Sequence, residues 1–165
     1  MVTRSAKILL LAGIAIFYTL VVFNNLTDFD SNYQFVNHVL DMDTTIPGNH
    51  GMWRALHPFW THLAFYLGII VWETATTVML WLGVVRLYRA RLESAPAFNS
   101  SKRMAIIALT VSLMMWLVAF LSVGAEWFLM WQSRVWNGQE AAFRMFVVVG
   151  MVLLILMQPE TSGQP

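Results

Sequence analysis

The sequence predicts an all-α membrane protein with four transmembrane helices in an antiparallel up-down bundle, organised as a single membrane domain over 1–165. Its composition gives the first indication: 58% of the 165 residues are hydrophobic and 12% are charged, whereas soluble domains carry about 25% charged residues. Four apolar runs are long enough to cross a hydrocarbon core of roughly 30 Å. The second and third connections are short, which favours antiparallel packing of consecutive helices.

The first predicted span covers 8–23. Lys7 precedes this run and Asn24–Asn25 follows it, so polar residues stand at both membrane interfaces. No site with the small-x-small pattern of signal-peptide cleavage follows the run. We therefore expect a retained first helix rather than a removed signal peptide.

The longest segment outside the membrane is the predicted outer loop, 24–58. Between Tyr33 and Met42 its apolar residues have mixed spacing, and Asp30–Ser31 offers an N-cap. This pattern predicts a short helix that lies on the membrane surface. Aromatic residues around Trp60 then return the chain to the interface.

The second predicted span, 60–86, carries an acidic residue near its middle, Glu73. A charged carboxylate at the centre of a membrane helix costs about 3 kcal/mol on insertion scales, so some partner must offset it. At about 100° per residue, one face of this helix holds an intramembrane polar site. Its members are Glu73, Tyr66, Thr77 and His62. The site is either a path for protons or ligands, or a seam of hydrogen bonds between helices.

The third and fourth predicted spans cover 104–131 and 141–157, and a cytoplasmic loop, 87–103, precedes the third. Each of these spans carries one charge near its outer end, Glu126 in the third and Arg144 in the fourth. Antiparallel packing would bring these two residues to a similar depth. Because charged residues inside bundles usually pair with one another, we expect a structural ion pair between them.

The distribution of basic residues predicts the orientation. Arg4 and Lys7 precede the first span, and five more lysines and arginines lie between the apolar parts of the second and third spans. Cytoplasmic loops carry an excess of such residues. Both termini are therefore expected in the cytoplasm, with the loop 24–58 outside.

Histidines are the only weak candidates for a metal site, since the chain has no cysteine. They are His38, His50, His57 and His62, all in or near the outer loop. Together with Asp41 or Asp43 they are of the right type to bind a transition metal. A haem needs axial ligands that face each other, and only His62 lies in a span. Histidines in loops serve more often as hydrogen-bonding residues, so we expect no cofactor.

Several stretches resemble a bacterial family of predicted small integral membrane proteins that is catalogued as a domain of unknown function. They are NNLTD at 24–28, FVNHVLDMDTTIPGN at 35–49, WRAL at 53–56 and WE at 72–73. The resemblance covers nearly the whole chain and implies the inner membrane of a bacterium. It supplies no activity, ligand or catalytic residue.

Three functional hypotheses follow. The first is a non-enzymatic accessory or assembly partner of another membrane protein, in contact with the bilayer and with that protein or a second copy. The second is a proton-coupled or small-solute transporter that uses Glu73. The third is a metal- or haem-dependent oxidoreductase built on the outer histidines. A net charge of +1 gives no general attraction to nucleic acid.

Overall fold

The computed structural model describes residues 1–161, which are helical or irregular and contain no strand. The main helices are α1 (Val2–Thr27), α2 (Phe29–Asp41), α3 (Phe59–Arg89), α4 (Ala95–Ser101), α5 (Arg103–Met114), a π-helix (Met115–Trp127) and α6 (Gln139–Met157). Short 3₁₀ turns lie at Met52–Arg54, Ala90–Leu92 and Met130–Gln132.

Four helical stretches are long and apolar enough to cross a membrane, which confirms the predicted fold class. They are α1, Phe59–Leu92, Ala95–Trp127 and α6. α1 extends beyond the predicted 8–23 at both ends. The early start is explained by Lys7: because Glu160 neutralises its charge within the fold, this lysine can lie inside the helix.

The segment predicted as a cytoplasmic loop, 87–103, is largely helical. α3 continues to Arg89, and α4 begins after Ser94, whose hydroxyl accepts a hydrogen bond from the backbone N–H of Ala97 at 3.5 Å. A serine N-cap followed by Pro96 in the first turn is a strong local start signal for a helix.

The helix predicted within 24–58 is present as α2. It begins after Asp28, ahead of the expected cap at Asp30, and ends at Met42 in the left-handed conformation with φ 54°. The backbone N–H of Met42 donates to the carbonyl of Val39, which closes the helix. The side chain of Met42 is buried, so packing compensates for the unusual backbone conformation.

The third span departs from an ordinary α-helix at Met115. From there to Trp127 the backbone is a π-helix, in which hydrogen bonds connect residues five apart. The amide of Phe128 accordingly donates to the carbonyl of Val123 at 3.0 Å. Leu129 has φ 54° and turns the chain, so the span ends before the predicted 131.

The chain forms two compact units. The first comprises Met1–Val21, Glu73–Leu113 and the chain from Val147 onward. Within it, α3 and α5 approach closely at Gly83, where an added Cβ would lie 3.0 Å from the Cα of Ala105. Only a glycine allows that approach without displacing the neighbouring backbone.

The second unit comprises Val22–Trp72 and Met114–Phe146. Its core is one apolar cluster from α2, α3, the π-helix and the turn after it. The buried members are Val36, Val39, Leu40, Met42, Tyr66, Ile70, Ala125, Phe128 and Met130. This cluster forms the floor of the site described next.

Candidate functional site

An apolar cavity of about 350 Å³ lies in the second unit, between α2, α3 and the π-helix. We call it the lateral pocket. Its walls include Val36 and Leu40 of α2, Phe65, Gly68 and Trp72 of α3, and Val123 of the π-helix. Binding sites for small molecules commonly have volumes of about 300–1,000 Å³, so the lateral pocket is large enough to hold a ligand.

The walls of the lateral pocket determine what it can bind. None of the lining side chains carries a charge or a hydroxyl group. Its floor at Leu40 and Met130 is buried, whereas Phe65 is 42% exposed and marks the open side. A wall of this kind offers dispersion contacts and no acid–base chemistry, so it suits a hydrocarbon chain.

Two glycines shape the pocket. A Cβ added at Gly68 would have no atom within 4 Å, so this position opens directly into space. A Cβ at Gly124 would lie 3.3 Å from the carbonyl oxygen of Ala119, so that wall is already tight. Side chains can therefore be introduced at Gly68 without steric conflict at the backbone.

The π-helix supplies one wall of the pocket. Irregular π segments inside helices occur frequently at functional sites. Here Val118, Ala119 and Val123 all belong to the π-helix and all line the cavity. Sequence reasoning missed this site because it assumed an ordinary α-helix and because an apolar wall carries no polar signal.

Arg54 holds the end of the π-helix. Its Nη1 donates to the carbonyls of Glu126 at 3.2 Å and Trp127 at 3.0 Å. The guanidinium carbon lies 5.7 Å from the ring centroid of Trp53 and 5.6 Å from that of Trp127. The arginine thereby satisfies terminal carbonyls that the helix itself leaves open.

The predicted intramembrane polar residues lie along α3, but they belong to different compact units. His62 and Tyr66 are in the second unit and Glu73 and Thr77 are in the first. His62, Tyr66 and Glu73 are buried. Thr77 is half-buried, and its hydroxyl donates to the backbone carbonyl of Glu73 at 2.7 Å. Its neighbour Thr76 is the fully buried threonine of this stretch.

Within the second unit, Tyr66 ties α3 to the end of α1, and His62 ties it to the segment between α1 and α3. The hydroxyl of Tyr66 donates to the carbonyl of Asn25 at 3.0 Å. Nδ1 of His62 lies 2.7 Å from Oδ1 of Asn37, and its Nε2 is hydrogen-bonded to the carbonyl of Leu56. Both ring nitrogens of His62 are therefore engaged, which leaves neither for a haem iron.

The other histidines bond to carboxylates or lie at the surface. His38 is 2.7 Å from Asp43, and His57 is 2.9 Å from Asp41. His50 is exposed. Across residues 1–161, no group of three or more histidine, cysteine or acidic side chains is placed to hold a metal ion.

Glu126 and Arg144 do not form the expected ion pair. Both side chains are exposed, and the ion pairs found within 4.0 Å among the described residues do not join them. The physical reason is the π-helix: its wider turn changes the direction of every side chain after Met115 relative to an α-helix. Buried positions there are occupied by Gly124 and Ala125 instead.

A cluster of buried charges in the first unit was not expected from the sequence. Nζ of Lys7 donates to the carboxylate of Glu160 and to the carbonyl of Gln158, both at 2.6 Å. Nζ of Lys102 donates to that same carbonyl at 2.7 Å. Burial by itself raises the pKa of the Glu160 carboxyl, but the hydrogen bond and charge of Lys7, with the charges of Lys102 and Arg4, bring this pKa below its usual value.

The sequence model of a family described as "Predicted small integral membrane protein (DUF2165)" matches residues 3–159. No curated protein and no solved structure matches the chain.

Proposed function

Because the chain belongs to this family of small integral membrane proteins, we propose that it is a non-enzymatic accessory protein that binds a hydrocarbon chain in the membrane. The observation that carries the proposal is the lateral pocket, with its apolar walls and its open side at Phe65. An accessory protein of this kind acts through what it binds and not through a reaction.

A site for hydrocarbon inside hydrocarbon must gain its selectivity from shape. In a bilayer there is no hydrophobic driving force between apolar surfaces, so association depends on van der Waals packing and on lipid entropy. The lateral pocket supplies a preformed surface on three helices, including aromatic walls from Phe35, Phe65 and Trp72. We expect an acyl chain bound in the pocket to be ordered, while the acyl chains of the surrounding bilayer stay disordered.

We place the protein in the bacterial inner membrane with both termini in the cytoplasm. The basic residues near Lys7 and between Arg86 and Arg103 support this orientation. The pocket residues of α3 lie between Phe65 and Trp72, in the first half of the helix Phe59–Arg89. In this orientation the pocket faces lipids of the outer leaflet.

Photo-crosslinking tests the pocket. A phospholipid with a diazirine in its acyl chain is added to the purified protein in detergent, and labelled peptides are mapped after irradiation. We expect labelling at Phe65–Trp72 and Val118–Gly124. Gly68→Leu should reduce it about tenfold because the new side chain fills the cavity.

The matched control is Gly13→Leu. Gly13 is also a helical, exposed glycine with no atom within 4 Å of an added Cβ, but it does not line the pocket. It should leave the labelling unchanged. Equal labelling of wild type and Gly68→Leu would contradict the proposal.

The accessory role also implies a partner, which is another membrane protein or a second copy of this chain. Native purification in mild detergent, followed by identification of the co-purifying chains, tests this part. A protein that is recovered with wild type and is lost with Gly68→Leu would link the partner to the pocket. Recovery as a monomer without any co-purifying chain would count against the accessory role.

A proton-coupled transporter is the second candidate, and the burial of Glu73 favours it. Only 3% of Glu73 is exposed, within a helix long enough to span the membrane. Intramembrane carboxylates often mark proton or ion pathways. In proteoliposomes that contain a pH-sensitive dye, a transporter would move protons or solute, and Glu73→Gln would abolish the movement without unfolding the protein. A role limited to hydrogen bonding predicts no such movement in wild type.

A further inference from the structure

On the premise of the proposed hydrocarbon site, we infer that the chain held in the lateral pocket belongs to a phospholipid whose phosphate is bound by Arg54. The inference adds a headgroup site to the pocket and thereby names the class of ligand. It rests on the position, the unused donors and the uncompensated charge of this arginine.

Arg54 adjoins the lateral pocket through the end of the π-helix. The two carbonyls that it contacts belong to Glu126 and Trp127, and the next residue, Phe128, lines the pocket. Arg54 thus contacts the backbone immediately before a residue that lines the cavity.

The guanidinium of Arg54 has N–H donors that no described residue accepts. Both hydrogen bonds that it makes to described residues come from Nη1, and its buried Nε has no hydrogen-bond partner among those residues. A guanidinium carries five N–H donors in a planar fork that matches phosphate oxygens. The Nη2 group lies against Gly51, where an added Cβ would be 2.7 Å from it, and it makes no hydrogen bond to the described residues, so its N–H groups are the donors left for an acceptor from outside the chain.

The positive charge of Arg54 also lacks a counterion. In the described part of the chain, no carboxylate lies within 4.0 Å of its guanidinium nitrogens. Its two aromatic neighbours are exposed, Trp53 at 74% and Trp127 at 49%. Tryptophans with this exposure gather at the level of the lipid headgroups, where phosphate is the abundant anion.

A simple helix cap would account for the two bonds from Nη1 and for nothing else. It gives no acceptor to Nη2, and it leaves a cation near two indoles without an anion. A phosphate would supply an acceptor for Nη2 and a negative charge in one charge-assisted contact.

The test compares two photoactivatable lipids with the same diazirine-bearing chains, phosphatidylglycerol and diacylglycerol, in a maltoside detergent that contains no phosphate. We expect phosphatidylglycerol to label the pocket peptides about fivefold more strongly, as a single charged contact near a surface allows. Arg54→Gln should bring the two lipids to equal labelling. Arg134→Gln removes an exposed arginine of the same unit and should preserve the preference.

The wild-type comparison decides the question even if Arg54→Gln fails to fold. Equal labelling of wild type by both lipids would overturn the headgroup site but would leave the hydrocarbon site standing. Millimolar inorganic phosphate should weaken the preference in wild type, because free phosphate competes for the same guanidinium donors. A preference that persists in Arg54→Gln would also overturn the headgroup site. Absence of pocket labelling by either lipid would instead refute the proposed function itself.

Discussion

At the scale of single residues, the first unit clusters its buried lysines, and each of them has several partners. Lys7 and Lys102 are each 3% exposed, yet their ammonium groups share the carbonyl of Gln158. Glu160 supplies the only acidic side chain in contact with them among the described residues. Removing one member of such a cluster leaves a buried charge without compensation, which costs more than the pair contributes.

Glu160 predicts a dependence of stability on pH. Its pKa in the folded protein is below the ordinary value of 4.5, so the folded state binds fewer protons than the unfolded state near that pH. The stabilisation by Glu160 is therefore complete above pH 4.5 and is lost as the pH falls through the lower folded pKa.

The measurement is the difference in unfolding temperature between wild type and Glu160→Gln. We expect wild type to be more stable at pH 7, and the difference to shrink steadily below pH 4.5. Glu140→Gln, which alters an exposed acidic residue, is the control and should show a smaller effect. A difference that stays constant down to pH 3 would contradict the assigned role.

At the scale of helices, close approach and irregular winding fix the packing. α3 and α5 meet at Gly83 and Ala105, where small residues let two backbones come together. Membrane helices depend on such close contacts because lipid tails are as apolar as large apolar side chains, so burying those side chains between helices gives no hydrophobic gain. The π-helix does the opposite: it widens the third span and provides a wall for the lateral pocket.

Substitution of Gly83 tests the close approach. A Cβ at this position would lie 3.0 Å from both Cα and Cβ of Ala105, so Gly83→Ala should cost about 1–3 kcal/mol of stability through backbone displacement. Gly150→Ala is the matched control because its added Cβ would meet only Leu113, at 3.9 Å. Unfolding in a series of detergent mixtures measures both variants. Equal stability of Gly83→Ala and Gly150→Ala would contradict the prediction, because it would mean that α3 and α5 can move apart at Gly83 without a loss of stability.

At the scale of the whole molecule, the protein has four apolar helical stretches and a further helix, α2, between the first two. The lateral pocket lies against α2. The segment between the first two spans therefore contributes to the proposed binding site and does more than connect the spans. Residues of α2 provide both core contacts and pocket wall.

The orientation gives the prediction at this scale. A reporter that is active only in the cytoplasm, fused after Pro165, should be active, and one inserted at Asn49 should be inactive. The expected result follows from the basic residues around Arg4 and between Arg86 and Arg103. The opposite pattern would invert the membrane sidedness proposed for the lateral pocket and for Arg54.

The sequence by itself determined the membrane class, the four spans and the helix in the outer segment, because hydrophobic length and turn signals are local properties. It also marked Glu73 and His62 as polar residues of the second span, and both are buried. It also predicted a pairing of Glu126 with Arg144, which is not one of the ion pairs found within 4.0 Å among the described residues. Whether a helix winds with bonds to the fourth or the fifth residue depends on how its neighbours pack, so only the tertiary structure decided the π-helix. The same holds for the lateral pocket and the setting of Arg54, which arise where three separate segments of the chain meet.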